Sequence, residues 1–479
     1  MRVLLLALFS AVALTSGCRT PAPYTGEPLP RFLVDQAPTA DPAVAEPPVV
    51  PVSERPAVTL PDAVRECVLN NMRLKVAEER VSSAQADFVT ESLIPNPQLV
   101  VDAQLLPITT INFDNQAGPP QYDALVTMPI DWFLFGKRVA ARAAAKLNVD
   151  VARAEFADQL RRQIAVTVDS FYDALEADLA VKLAEQDLTA LQVLEKAAIA
   201  RAKGDEKSTL EQRRVGLAIL DIRREIRKRR AAAETTKSRL QNNIGRPPDT
   251  PDFVVKGTLA VHATAPALTL TQAWAMAERN RPDLIAARRG VVVAEAVVER
   301  ERRRGYPQVS LTSGVDYQDQ QRITGFRNAY LWTIAVNTTL PLTDRNQGRV
   351  LAARSAMRSS AANLAAATSE ARVEVEQAVA EYLEAVKGMT GEDVASLRAA
   401  RAVRDETLAL YRKGDKDLVD ALDAERAYRD RLRNTLANLA DYWQALNHVN
   451  AAVGRRVLTA EEADHDSLID DAKAPAPKK

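Results

Sequence analysis

The chain is a tandem duplication, and this constrains its fold more than any other feature. Pro97-Gln98 recurs as Pro307-Gln308, about 210 residues later, and Lys203-Gly204-Asp205 recurs as Lys413-Gly414-Asp415 at the same spacing. Solenoid repeats are only about 20–50 residues long. Each copy is therefore expected to form a large half of one architecture.

Composition favours long, closely packed helices. The 479 residues carry no net formal charge, 26% are charged and only 5% are aromatic. An alanine-rich and charge-rich sequence with few aromatic residues is typical of long helices. The neutral balance gives no reason to expect a nucleic-acid partner.

The N-terminus is a targeting segment. Met1-Arg2 is followed by an apolar stretch, and Leu14-Thr15-Ser16-Gly17-Cys18 resembles the cleavage box of bacterial lipoproteins. The apolar stretch is too short to span a bilayer. We expect residues 1–17 to be a lipoprotein signal peptide and Cys18 to be lipidated, with Arg19 favouring the outer membrane. The alternative is an ordinary signal peptide with an incidental cysteine.

The segments that flank the repeats are expected to lack regular structure. Residues 18–57 are rich in proline, which excludes a helix and favours an extended tether. The other end, residues 457–479, is acidic and then rich in alanine, proline and lysine, and is expected to be disordered. Cys67, the second cysteine, has no partner for an intramolecular disulfide and is expected to be buried.

Each repeat reads as helix, strand, strand, long helix, turn and helix. The first repeat covers residues 58–250, a linker covers 251–265, and the second repeat covers 266–456. Proline is absent from Gly136 to Lys203, which predicts one very long helix. The other helices are predicted in five ranges: Leu60 to Ile94, Ser208 to Ile244, Thr271 to Arg304, Gly348 to Lys413 and Asp417 to Val453.

Four segments alternate with period two, which predicts strands with one apolar and one polar or small face. The residues on the largely apolar face of the four segments are, in turn, Leu99, Val101, Ala103 and Leu105; Tyr122, Ala124, Val126, Met128 and Ile130; Val309, Leu311, Ser313, Val315 and Tyr317; and Trp332, Ile334, Val336, Thr338 and Leu340. This pattern and the length of about ten residues suit strands that cross a membrane. A half-buried hairpin in a soluble sheet is the alternative, but the sequence offers no other strands to pair with it.

Four strands cannot close a membrane barrel, and an open edge in lipid would leave backbone groups unsatisfied. The chain is therefore expected to oligomerise if the strands lie in a bilayer. Two copies would supply eight strands and a filled interior, and three would supply twelve and a wider lumen. The polar inward faces of the strands favour a barrel with an open lumen over one with a filled interior.

The duplicated unit resembles the TolC-like outer membrane factor family, particularly its lipoprotein and heavy-metal-efflux-like members. The resemblance covers residues 58–455 and includes Pro97-Gln98, Tyr306-Pro307-Gln308 and the strand exit from Met128 to Arg138. The clearest match is Tyr411-Arg412-Lys413-Gly414 followed by the segment from Leu418 to Arg426. The resemblance implies a mainly α fold with a small membrane β-barrel. It further implies a homotrimer in which a twelve-stranded outer-membrane barrel, four strands per chain, caps a long α-helical barrel.

The resemblance also implies function and partners. Such a protein is the exit duct of a tripartite efflux or secretion system, working with a periplasmic adaptor and an inner-membrane pump. It lies in outer-membrane lipid with a periplasmic helical body. The tips at Gly204 and Gly414 are where the family docks its adaptor.

Two aspartates stand where the family has its periplasmic gate. Asp420 and Asp423 are spaced i, i+3 and share one helix face. Six carboxylates near a threefold axis would form a constriction that attracts cations. The alternative is that they only complement the helix dipole.

The family closes this tip with a tyrosine and a basic residue that reach an aspartate of the first repeat. Tyr411 and Lys416 match the first two positions, but Leu210 occupies the third and cannot accept a hydrogen bond. Three nearby acidic residues are candidates to replace it: Asp205, Glu206 and Glu211. Whether the tip is closed at rest is therefore left open.

The sequence gives no sign of an enzyme, a cofactor or a metal site. His262, His448 and His465 are scattered, with no phosphate loop, nucleophile motif or metal-ligand spacing, and each is expected to have a surface role. The transported substrate and the particular pump and adaptor cannot be named. The competing interpretations are a coiled-coil envelope lipoprotein without a pore and a periplasmic adaptor-type scaffold.

Overall fold

The structure is a computed structural model that describes residues 56–106, 119–201, 206–250, 252–259, 268–321, 325–390 and 392–458. The predictions for the signal peptide, Cys18, most of the tether, Gly204 and all of the tail beyond residue 458 lie outside these residues. The chain divides into two compact units. Among the described residues, unit 1 contains 79–153 and 286–366, and unit 2 contains the others.

The order of elements repeats once along the chain, as the duplication predicts. The elements are β1 (Ala57–Val58), α1 (Leu60–Asn70), α2 (Met72–Ser92), β2 (Gln98–Gln104), β3 (Gln121–Pro129), α3 (Asp131–Leu134), α4 (Lys137–Arg201), α5 (Glu206–Asn243), β4 (Val254–Val255), α6 (Leu270–Asn280), α7 (Pro282–Arg304), β5 (Val309–Gln318), β6 (Ala329–Thr338), α8 (Gln347–Thr390), α9 (Glu392–Lys413) and α10 (Leu418–Val453).

The two repeats begin with the same helix cap. Thr59 and Asp62 form a capping box before α1, and Thr269 and Gln272 form one before α6. In both boxes the threonine hydroxyl accepts from the backbone of the third helical residue, and the side chain of that residue accepts from the backbone of the threonine. Thr59-Leu60 and Thr269-Leu270, which are 210 residues apart, therefore mark the start of each repeat.

The first helix of each repeat is broken, which corrects the predicted continuous helices 60–94 and 271–304. Asn71 and Arg281 have extended backbones, with ψ of 120° and 122°. Arg281 precedes Pro282, and the proline ring disfavours the helical conformation of the residue before it. Asn71 starts a new helix itself, because its side-chain oxygen accepts from the Arg73 amide at 2.9 Å.

All four predicted strands of unit 1 are present and form one antiparallel sheet in the order β2-β3-β5-β6. The apolar face is exposed: along β6, Tyr330, Trp332, Ile334 and Val336 are 65–75% exposed. On the other face Thr312 is buried and its hydroxyl lies 2.9 Å from Thr127 Oγ1. Strands β2 and β6 form the two edges of the sheet.

A second, much smaller sheet was not predicted. β1 and β4 pair in parallel through two residues each, and Lys256 N donates to Val58 O at 2.9 Å. The expectation that the chain holds no further strands was therefore wrong. This pair ties the start of the first repeat to the linker that follows it.

The core of unit 2 is built on the aromatic residues that the duplication repeats. Tyr172 and Tyr382, equivalent positions in the two repeats, are both buried. Tyr172 stacks on Trp443 with ring centroids 5.6 Å apart. The ring centroids of Tyr382 and Tyr442 are 6.0 Å apart. Cys67 is buried as predicted, and burial raises the pKa of its thiol.

The long helices match the prediction closely. α4 contains 65 residues and α5 contains 38. The predicted helix 348–413 is observed as α8 and α9, on either side of residue 391, which lies outside the described residues. Within the part of the chain that the structure describes, no helix has the length and apolarity needed to cross a membrane.

Candidate functional site

The second helical turn, between α9 and α10 in unit 2, carries the predicted gate residues. α9 ends at Lys413, and Gly414 has φ of +98°, the left-handed conformation that glycine adopts without strain. Gly414 N donates to Leu410 O at 3.1 Å, which closes the end of α9. The turn therefore explains why the sequence has glycine here and why a new helix begins at Leu418.

The first turns of α10 have a buried face and an exposed face. Leu418, Ala421 and Leu422 are buried, whereas Asp420 and Asp423 are exposed. Their exposed side-chain fractions are 48% and 66%. The i, i+3 spacing thus places both carboxylates away from the apolar contacts of this helix, as predicted.

Each of these aspartates has a cationic neighbour on the same chain. Lys416 Nζ lies 3.5 Å from Asp420 Oδ2, and Arg426 Nη1 lies 3.8 Å from Asp423 Oδ1. All four side chains are largely exposed, so these ion pairs contribute little to stability. Asp420 lies in the first turn and complements the helix dipole, but Asp423 lies beyond it, so the dipole alone does not explain the pair.

Tyr411 is fully buried rather than exposed at the turn. It belongs to an apolar cluster that joins the second turn to α4 and α5. The other buried members of this cluster are Ala184, Leu191, Leu194, Val215, Ala218, Ile219, Ile222, Ile226, Leu418, Ala421 and Leu422. Leu210 is 52% exposed, and the predicted first-repeat partners Asp205 and Glu206 lie where side chains are not described.

A buried ion cluster, which the sequence did not reveal, lies next to this apolar cluster. Arg429 Nε of α10 is 3.4 Å from Asp187 Oδ1 of α4 and 3.3 Å from Glu425 Oε1. All three side chains are at most 8% exposed. Burial raises the pKa of Asp187 to about 6, although Arg429 and Arg433 oppose the shift. The cluster fixes the position of α10 against α4.

His448 is not the isolated surface residue that was expected. Its Nε2 lies 3.2 Å from Asp169 Oδ2 of α4, and its Nδ1 lies 3.2 Å from Glu381 Oε2 of α8. A neutral imidazole carries one N–H and cannot donate to both carboxylates. Hydrogen bonding to Asp169 is the largest cause that raises the pKa of His448, to about 9. His448 is therefore an imidazolium that links three helices.

Comparison with known proteins gives a consistent result. The sequence profile of the outer membrane efflux protein family matches residues 274–455. The cobalt-zinc-cadmium resistance protein CzcC of Cupriavidus metallidurans is 26% identical over 429 residues, which is 89% of this chain and 96% of CzcC. The chain therefore resembles the TolC-like outer membrane factors.

Solved structures of three channels share the fold of this chain. CusC, described as undergoing conformational changes that accompany folding and transmembrane channel formation, gives a TM-score of 0.67 at 17% identity. The alignment covers 83% of this chain and 92% of CusC. The outer-membrane channel OprN gives 0.66 at 19% identity over 91% of this chain and 98% of OprN.

The open state of the MtrE outer membrane channel of Neisseria gonorrhoeae gives a TM-score of 0.66 at 18% identity. The alignment covers 83% of this chain and 89% of MtrE. The match to the outer membrane efflux protein profile includes the second helical turn, so Asp420 and Asp423 lie inside the matched region. The fold of this chain is therefore the one that CusC, OprN and MtrE share.

Proposed function

We propose that this protein is the exit duct of a tripartite efflux or secretion system. Solutes would pass from an inner-membrane pump and a periplasmic adaptor through the duct and across the outer membrane. The observation that carries the proposal is the sheet of unit 1, which has an exposed apolar face, a polar face and two open edges. The relatives CusC, OprN and MtrE are channels, which supports transport rather than catalysis.

The working form is a homotrimer with a twelve-stranded barrel. An unpaired sheet edge in hydrocarbon costs several kcal/mol for each unsatisfied backbone group. β2 and β6 would therefore pair with neighbouring chains. Asp123 and Asp316 lie on the inner face, where charged groups suit the water-filled lumen of twelve strands better than the filled interior of eight.

Asp420 and Asp423 form the entrance gate. Three chains would bring six carboxylates together, and their exposure on α10 supports this role. Lys416, which pairs with Asp420 in one chain, and Tyr411, whose burial anchors the turn, would hold the closed tip. The turns at Gly204 and Gly414 are the proposed docking points for the adaptor.

Cys18 anchors the chain to the outer membrane. The lipoprotein-like box supports lipidation of this cysteine, and the proline-rich segment that follows is long enough to act as a tether. The helical body would then lie in the periplasm. Lipid anchoring and membrane insertion of the sheet would act together.

The cargo class is suggested by a relative rather than by the residues of the entrance. CzcC is named for cobalt, zinc and cadmium resistance, which makes divalent metal ions the first class to assay. Among the described residues, no group of three or more His, Cys, Asp or Glu side chains is arranged to hold a metal ion.

The mass of the purified protein in mild detergent tests the oligomeric claim. Native mass spectrometry is expected to show three chains, because only closure satisfies both sheet edges. A monodisperse monomer after extraction from the outer membrane would refute the exit duct. That result would favour the alternative of a coiled-coil envelope lipoprotein or an adaptor-type scaffold.

A further inference from the structure

The buried ion cluster of Asp187, Glu425 and Arg429 lies at one end of an apolar seam between α4 and α10. Side chains of this seam repeat at intervals of four and three residues, which is the spacing of a coiled-coil interface. They are Leu418, Leu422, Glu425 and Arg429 on α10 and Asp187, Leu191 and Leu194 on α4. The ion cluster is therefore a polar layer of the seam, at the end away from the second helical turn.

The part of α10 that carries this seam is packed separately from the rest of the helix. Buried residues of α10 fall between Leu418 and Arg429 and again between Ala440 and Val453. The structure describes residues 430–439 as well, and none of them is buried. The apolar residues of the two groups belong to different clusters of unit 2. A segment with few buried contacts opens at low cost, so the turn-side part of α10 can move without unpacking the other cluster.

The ion cluster holds two carboxylates and one cation away from water. Asp187 Oδ1 and Glu425 Oε1 lie 3.4 Å and 3.3 Å from the same atom, Arg429 Nε. Arg429 Nη2 is buried and has no hydrogen-bond partner among the described residues. With both carboxyl groups ionised, negative charge is in excess inside the seam. Two carboxylates that share a desolvated site repel each other, so the arrangement favours uptake of a proton.

Charged groups of three helices act on the cluster. Those that face Asp187 come from α5 and α10 and are Arg229, Glu425, Arg429 and Arg433. Arg404 of α9 interacts with Glu425. The three arginines that face Asp187 favour its ionised form, but burial is the larger effect, and it raises the pKa of Asp187 to about 6.

We propose that the buried ion cluster is a proton-dependent latch, which holds the second helical turn against α4 when a proton is bound and frees it when the proton is lost. The folded protein binds this proton more tightly than an exposed carboxyl does, because the ordinary pKa is 3.8. The contribution to stability is therefore fully present below pH 3.8 and is lost as pH rises through about 6. The consequence for transport rests on the proposed function, whereas the latch itself is a property of unit 2.

Hydrogen exchange of the amides from Leu422 to Tyr428 measures opening of the latch in the full-length protein in detergent, without any transport. After correction for intrinsic exchange, the opening constant should rise with pH and level off above about pH 6. Between pH 5 and pH 7 it should rise about tenfold. Asp187→Asn keeps the shape of the neutral carboxyl and retains a donor. This variant should open at both pH values as little as the wild type does at pH 5.

Two further variants separate proton binding from a purely structural role. Glu425→Gln removes a carboxylate that raises the pKa of Asp187, so opening should level off at a lower pH than in the wild type. Arg433→Gln removes a cation that lowers this pKa, so opening should level off at a higher pH. The matched control on α4 is Glu185→Gln, which loses only an exposed ion pair with Arg230 and should leave the profile unchanged.

Two results of the exchange experiment would overturn the latch. One is a wild-type opening constant that is the same at pH 5 and pH 7. The other is a shift of the profile in the same direction for Glu425→Gln and Arg433→Gln. Because these two variants keep Asp187, the test does not depend on whether Asp187→Asn folds.

Conductance of the same proteins in planar bilayers distinguishes failure of the latch from failure of the proposed function. The wild type should conduct more at pH 7 than at pH 5, and Asp187→Asn should lack this difference. Equal pH dependence in the two proteins would overturn the role of the latch in the duct. Proton-dependent opening by exchange, with no conductance at either pH, would refute the exit duct and leave the latch standing.

Discussion

The imidazolium of His448 predicts a pH-dependent link between helices of unit 2. Its two ring nitrogens contact carboxylates of α4 and α8, and Glu384, Asp441 and Gln444 line the same surface groove. The surroundings are therefore acidic and favour the charged ring. Replacement of His448 by glutamine keeps a polar side chain but removes the positive charge.

The size of the effect follows from the pKa. A rise from 6.5 to about 9 would correspond to about 3 kcal/mol if the site were dry. The side chain is 42% exposed, so screening by solvent reduces the expected contribution to about 1 kcal/mol. The folded-state pKa is raised, so this contribution is fully present below pH 6.5 and is lost as pH rises through about 9.

Hydrogen exchange of the amides near the C-terminal end of α10 measures this contribution locally. At pH 6.5, His448→Gln is expected to exchange about fivefold faster than the wild type, which corresponds to about 1 kcal/mol. Near pH 10 the two proteins should exchange at the same rate. Comparing them at each pH removes the intrinsic pH dependence of exchange.

A control separates the link through His448 from an ordinary surface ion pair. Lys387→Gln removes an ion pair with Glu384 whose side chains are 71% and 73% exposed, and should change exchange little at either pH. If the exchange rates of His448→Gln and the wild type differ by the same factor at pH 6.5 and at pH 10, the imidazolium does not cause the difference. That result would refute the reasoning.

Three further predictions address the turn, the gate and the anchor. Gly245→Ala should lower stability by about 1–3 kcal/mol, because φ is +75° and a Cβ would lie 2.6 Å from backbone atoms. The control Gly216→Ala, whose Cβ would meet no atom within 4 Å, should be neutral or stabilising in the same thermal melt. Equal melting temperatures of the two variants would contradict this prediction. Asp420→Ala/Asp423→Ala should abolish high-affinity block of conductance by a trivalent cation with trimer yield unchanged, whereas unaltered block would exclude the carboxylate ring. Cys18→Ala should lose palmitate labelling in cells, and labelling that survives would assign the lipid to another site.

The regular elements could be predicted because they depend on local pattern. The alternation from Trp332 to Leu340 and the absence of proline after Gly136 each specify a structure over many residues. The exposed face shared by Asp420 and Asp423 follows from the helical repeat in the same way. These features need no knowledge of what packs against them.

The helix break of the second repeat has a signal in the sequence. Pro282 disfavours a helical conformation at Arg281, so the break in the second repeat could be predicted from the sequence alone. The duplication then places an equivalent break near Asn71. The two-residue pairing of β1 with β4 is different, because it is too short to show any periodicity.

The buried charges could not be predicted because they depend on the register between helices. Asp187 and Arg429 lie in long, charge-rich helices where every charged residue could equally face solvent. Only the packing of α10 against α4 brings the two side chains within 3.4 Å and removes them from water. The same holds for His448, whose two carboxylate partners come from two other helices.

Single-channel conductance of the purified full-length protein in planar bilayers tests the central claim most directly. A closed barrel with a polar lumen is expected to give discrete, long-lived conductance steps from the trimer fraction, and a trivalent cation should block them from the side of the helical turns. A trimer that inserts into the bilayer without conducting, even when Asp420 and Asp423 are replaced by alanine, would contradict an exit duct.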